Sequence, residues 1–209
     1  SADLSVQVHP DNEYALRVEG ELGKTECWYI LDAQPHAKII FGHTASTKEE
    51  FIEQIESENW KDLLLELPVK KGDFFYVPSG TIHALCAGTL VLEVQQSSDT
   101  TYRLYDYDRL DDTGNKRELH IEKSIEVTTI PSTVPELDFT VKQLSGGELT
   151  TFVSNEFFTV ERLKVVDKVV YKRQADYVLA TVISGEGKVN DTTVKRGSSF
   201  MIPYGVDNI

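Results

Sequence analysis

At 209 residues the chain has room for one large β domain or two small ones and can bury a sizeable core. Its formal charge of −13 excludes a nucleic-acid surface, which needs clustered cations, and no apolar run approaches the roughly 18 residues of a membrane span. Hydrophobic residues make up 40% and include nine Tyr and nine Phe, which fits a soluble, β-rich protein. No signal-peptide pattern stands at the start, and the two cysteines, Cys27 and Cys86, are too few for a disulfide framework, so a reducing cytoplasm is the natural setting.

Residues 1–10 (SADLSVQVHP) alternate like a strand, with Ser5, Gln7 and His9 on one face and Leu4, Val6 and Val8 on the other. Residues 11–23 read as a polar loop marked by Gly20 and Gly23. Residues 24–31 (KTECWYIL) form a strong strand in which Lys24, Glu26, Trp28 and Ile30 share a side. A carboxylate in line with Trp28 and Ile30 is costly to bury unless it is paired or holds a metal, although an edge strand with Glu26 in water is the simpler account of Glu26 alone. A further strand covers 37–42. Ser46 to Glu49 reads as a capping box (STKE) before the apolar face of Phe51, Ile52 and Ile55, and 60–67 predict a second helix. The helical pair, about 46–67, is an insertion beside the β core.

Residues 69–85 (VKKGDFFYVPSGTIHAL) organise the rest. A Lys-Lys-Gly turn, an aromatic strand, a Pro78-Ser79-Gly80 break and a second strand hold His83 at a fixed point. Residues 89–95 (TLVLEVQ) form a strand with Glu93 and Gln95 opposite Val94. Residues 99–109 (DTTYRLYDYDR) alternate again, aligning Asp99, Thr101 and Arg103. The stretch from 110 to Pro135 reads as loop and linker. His36, His43 and His120 lie outside the motifs and read as surface histidines.

The second half carries a weak repeat of the first. Residues 194–205 (VKRGSSFMIPYG) match 69–80 (VKKGDFFYVPSG) at a spacing of 125, and continuing the register sets Asn208 where the first copy has His83. The second copy keeps the turn pattern and lacks that ligand. Repeated short strands with Gly and Pro turns predict a mainly β protein of two linked jelly-roll barrels. Residues 1–130 form a metal-binding catalytic barrel, and 131–209 a second, metal-free and incomplete one. The opening in mid-strand and the break at Ile209 predict a chain truncated at both ends. The pattern G-D-x4-P-x4-H over 72–83 is that of the cupin superfamily's second motif.

Gln7, His9, Glu26 and His83 offer an amide oxygen, two imidazoles and a carboxylate, a set that suits zinc and also iron(II) or manganese. The segments SVQVHPD, GKTECWYI, PSGTIHAL and EVQQSSDTTYRLYDYDR resemble, in order and spacing, those of type I mannose-6-phosphate isomerase in its short bacterial form. The resemblance implies one Zn2+ per chain on Gln7, His9, Glu26 and His83. It also implies a catalytic Arg103 with Lys24 and Asp99 lining the pocket, and Ser5, Arg109 and Glu93 as substrate contacts. The partner is then a small sugar phosphate, with neither nucleic acid nor membrane. The reaction is proton transfer between C2 and C1 through an enediol, interconverting mannose 6-phosphate and fructose 6-phosphate. Two other readings stand beside it: an iron-dependent cupin oxygenase built on a two-His, one-carboxylate triad, and a non-catalytic sugar-binding cupin.

Overall fold

The computed structural model describes residues 3–110, 112–206 and 208–209. The chain is mainly β and divides into two compact units. One runs up to Phe139 and includes Phe152–Val160, and the other comprises Thr140–Thr151 and Glu161–Ile209. Among the described residues no helix is long and apolar enough to cross a membrane.

The first unit contains β1 (Val6–Val8), α1 (Asn12–Val18), β2 (Glu26–Ala33), β3 (Lys38–His43), α2 (Lys48–Glu56), α3 (Trp60–Leu63), β4 (Leu64–Pro68), β5 (Phe74–Val77), β6 (His83–Leu85), β7 (Thr89–Gln95), β8 (Tyr102–Tyr105) and α4 (Ile121–Val127). Its strands form a five-stranded sheet of order β4-β3-β6-β1-β8 and a three-stranded sheet of order β5-β2-β7. Strand alternation sorts the side chains into layers. Val6, Val8, Ile40, Ala84, Tyr102 and Leu104 leave the five-stranded sheet on one face and pack with Phe51, Ile55 and Leu63 of the helices. Ile39 and Phe41 leave it on the other face and meet Trp28, Ile30 and Val77 of the three-stranded sheet. The outer face of that smaller sheet, with Cys27 and Phe74, is covered by Phe152.

Four local expectations are corrected. Residues 11–23 are not all loop: Asp11 accepts a hydrogen bond from the Tyr14 amide and caps α1. The cap of α2 is Thr47, which accepts from the Glu50 amide, while the Glu50 carboxylate reaches back to the Ser46 amide, so the box stands one residue later than the sequence predicts. The second helix stops at Leu63. The leucine run after it fits either period, and it pairs with β3 as an edge strand, Lys38 opposite Pro68 and Ile39 opposite Leu67. Finally, the segment read as linker contains α4, whose Ile121 and Ile125 pack on the helix-covered core.

The rest of the chain carries β9 (Thr140–Leu144) paired with β10 (Gly147–Ser154), then β11 (Thr159–Val165), β12 (Val178–Thr181), β13 (Glu186–Val189), β14 (Thr192–Lys195) and β15 (Ser199–Ile202). All of these belong to the second unit except the end of β10 from Phe152 and the start of β11 up to Val160. β12 pairs with β15, and β13 with β14. The sequence repeat is also a repeat of backbone geometry. β5 and β15 stand at the same spacing of 125, and Gly72 and Gly197 both have positive φ, as do Gly80 and Gly205. The amides of Thr81 and Val206 donate to the carbonyls of Pro78 and Pro203, each at 3.2 Å. Glu26 pairs with Val77 in the first copy, and Val178 pairs with Ile202 in the second, so Val178 holds the strand position of Glu26.

Candidate active site

Side chains directly opposite one another on antiparallel strands share a face. Phe41 is opposite His83, His83 opposite Gln7, and Gln7 opposite Arg103, which lays one row across β3, β6, β1 and β8. The facing sheet sets Gln95 opposite Glu26 and Glu93 opposite Trp28. The Pro-Ser-Gly break locks the row in place. Gly80 donates its amide to the His9 carbonyl at 2.8 Å and accepts from the Thr129 amide at 2.9 Å. It does so at φ +82°, where a Cβ would stand 2.4 Å from Thr129 Oγ1, so only glycine fits there.

His9, Glu26 and His83 converge in the interior, each 1% exposed, with their ligand atoms within 4.8 Å of one another. His9 Nδ1 donates to the Thr100 carbonyl at 2.9 Å and His83 Nδ1 to the Thr81 carbonyl at 2.8 Å. Carbonyl partners require protons on both Nδ1 atoms, and in a neutral ring that leaves Nε2 as a lone pair. Each Nε2 lies 3.4 Å from a Glu26 oxygen. Burial alone pushes the Glu26 carboxyl up, but the His9 contact, His83 and Lys24 outweigh it and hold the group at about 2. Burial pushes His83 down to about 4 against the pull of Glu26, so its imidazole is neutral. Lys24 Nζ stands 3.7 Å from Glu26 Oε2, and Gln7 Nε2 donates to His83 Nε2 at 3.3 Å.

The other expected residues are placed less uniformly. Trp28 donates its indole N–H to Glu93 at 3.0 Å, and burial followed by the charge of Glu26 raises the Glu93 carboxyl above the usual range, although Glu93 is open to solvent. Ser5 is buried just before β1. Arg103 donates Nη1 to the Glu118 carbonyl at 2.8 Å. Arg109 is tied to the Asp3 carbonyl and to Asp106, which also binds Arg117, and it lies over the Tyr107 ring. Asp99 lies outside β8, in an open depression of about 220 Å³ with Glu21, Leu22, Ser97 and Ser98, and no hydrogen bond or ion pair joins it to Arg103 among the described residues.

Two histidines read as surface groups are not. His43 is buried in β3, donates Nε2 to the Thr129 carbonyl at 3.0 Å and packs on Phe51. His120 bonds Arg103. The carbonyls of Thr81 and Thr100, which set both imidazoles, had no sequence signal, because a backbone oxygen belongs to every residue.

Two facing sheets around a buried two-His, one-carboxylate centre define a cupin-type jelly roll. The profile described as "Mannose-6-phosphate isomerase, cupin domain" matches residues 148–209. The chain is 50% identical over 204 residues to mannose-6-phosphate isomerase of Streptococcus mutans and 49% identical over 209 residues to mannose-6-phosphate isomerase ManA of Bacillus subtilis. It spans 96% and 98% of itself in these alignments but only 64% and 66% of the relatives' length. The solved mannose 6-phosphate isomerase of Bacillus subtilis superposes with a TM-score of 0.91 at 45% identity, covering 100% of this chain and 68% of that one. A mutant of phosphomannose isomerase from Salmonella typhimurium, at 13% identity and TM-score 0.71, shares the fold alone. The chain belongs to the mannose-6-phosphate isomerase family.

Proposed function

We propose that the chain holds one divalent metal, zinc in the first instance, on Gln7, His9, Glu26 and His83, and that the protein it represents interconverts mannose 6-phosphate and fructose 6-phosphate. One observation carries the metal. His9 Nε2 and both Glu26 oxygens are buried with no hydrogen-bond partner among the described residues. With the lone pair of a neutral His83, four ring and carboxylate atoms face one another, and among the described residues the donors recorded beside them are Gln7 and, 3.7 Å from Glu26, Lys24. Buried acceptors without donors are costly, and a cation satisfies all four. Gln7 joins the set by turning its amide so that the oxygen faces inward. The isomerase reading rests on the family and on the 49–50% identity to proteins of that name.

When bound, the metal supplies Lewis-acid stabilisation of charge on the sugar oxygens. The chain's residues do the rest. Arg103, planar and permanently charged, forks onto the oxyanion that forms as a proton leaves C2. Glu93, whose carboxyl is raised, suits a group that holds a proton between its departure from C2 and delivery to C1. Lys24 and Arg109 supply the local cations that an anionic sugar needs on a protein of charge −13, and Ser5 and Asp99 complete the proposed set of substrate contacts. The second unit, with Val178 and Asn208 at the positions of Glu26 and His83, serves as a metal-free structural partner.

The test is a coupled assay for fructose 6-phosphate formation with metal-loaded chain and with a full-length relative carrying the same substitutions. Arg103→Ala should cut kcat by about 10²-fold or more with metal content intact, as for loss of one donor to a developing oxyanion. A fully metal-loaded protein without isomerase activity, at full length, overturns the proposal.

A further inference from the structure

β8 is the edge strand of its sheet, so the N–H and C=O of Arg103 that point away from β1 have no strand to pair with. Both are taken by one residue. His120 donates its own amide to the Arg103 carbonyl at 2.8 Å and accepts the Arg103 amide on its ring Nδ1 at 3.0 Å. The imidazole thus stands where the carbonyl of a neighbouring strand would be. Two residues earlier, the Glu118 carbonyl holds the Arg103 guanidinium. His120 is also the residue before α4, yet its ring makes no capping bond to that helix. Ile121 and Ile125 of α4 are packed on the core, so the brace behind Arg103 is anchored to a buried element. Arg103 Nε, meanwhile, is buried with no partner among the described residues.

We propose that His120 is the positioning residue for Arg103: by closing the open strand edge on both sides of Arg103, it fixes the backbone from which the guanidinium reaches the reacting oxygens. The ring contributes an acceptor at Nδ1, and its contact with substrate is not required. This rests on the isomerase reading for its kinetic consequence, but the clamp itself has a readout that does not.

The test compares His120→Ala with His120→Asn, whose side-chain oxygen can occupy the place of Nδ1. In the metal-loaded protein, His120→Ala should make the Arg103 amide exchange with solvent about tenfold faster or more, because its hydrogen bond is gone. His120→Asn should restore the protection. Kinetically, His120→Ala should lower kcat about tenfold or more with KM changed by less than about threefold, since misplacing a charge-stabilising group costs turnover more than binding. His120→Asn should recover most of kcat, and metal content should be constant throughout. An Arg103 amide equally protected in wild type and His120→Ala overturns the clamp. Faster exchange with unchanged kcat in an active enzyme overturns the positioning role. An inactive wild type counts against the isomerase reading, and the exchange comparison still decides whether His120 clamps Arg103.

Discussion

Glu26 shows what a single residue demands of its surroundings. A carboxylate 1% exposed between two imidazoles, that of His83 neutral, is tolerable only with compensating positive charge. Glu26→Ala should therefore weaken metal binding by more than the roughly 10–100-fold typical of removing a partner outside the ligand set. Competition with a chromophoric chelator measures this, and an affinity within tenfold of wild type would remove Glu26 from the site. His43 carries a different cost. Burial holds its imidazole below the ordinary value of about 6.5, against the pull of its Thr129 bond. Below about pH 6.5 the unfolded chain binds a proton that the folded chain refuses, so stability is full above that pH and falls with acid. Urea melts in chelator at pH 7.5 and 5.5 should show this loss, and His43→Gln should reduce it, leaving the share that His83 contributes in the same window. Equal slopes in both proteins would clear His43. Among residues, the approach of His9 and Glu26 was legible because Gln7 and His9 are two apart on a strand and Glu26 keeps step with Trp28 and Ile30. His120 was not legible, because its role depends on a strand edge that only the sheet order reveals.

Elements were legible where one period dominated. β2 and β7 followed from alternation and β5 from an aromatic run between two turns, and the repeat between β5 and β15 could be read off the sequence alone. The leucine run 63–67 could not, since it satisfies helix and strand alike until β3 offers it an edge. α1 and α4 are short, seven residues each, and hold their shape by packing more than by propensity. The cap of α2 gives a clean test of a one-residue shift. Thr47→Ala should cost about 1 kcal/mol, whereas Ser46→Ala should fall within about 0.5 kcal/mol of wild type. Thermal or urea melts distinguish the two, and the reverse ranking would return the cap to Ser46.

At the scale of the whole molecule, the two units carry the same turn and strand geometry and unequal chemistry. Val178 and Asn208 stand where the first copy has Glu26 and His83, which offers one apolar side chain and one amide in place of a carboxylate and an imidazole. Elemental analysis after zinc reconstitution and desalting should give about one ion per chain. Two ions would mean that the second copy has recruited ligands from elsewhere. The net charge of −13 bears on the proposed reaction, in which an anionic sugar approaches against it and Lys24, Arg103 and Arg109 are the proposed local attraction.

The ligand atoms come from opposite sides of a sandwich. His9 and His83 belong to the larger sheet's side and Glu26 to the smaller, so an ion shared among them is a rivet through both layers. Its hold follows mass action: at a free concentration 100 times the dissociation constant it adds about 2.7 kcal/mol to the folded state. Chelation should accordingly lower the melting temperature, and the midpoint should climb with the logarithm of free zinc. A melting temperature indifferent to zinc would show that the layers need no such fastening. If they do, the cohesion of this sandwich varies with the metal supply of whatever compartment it occupies.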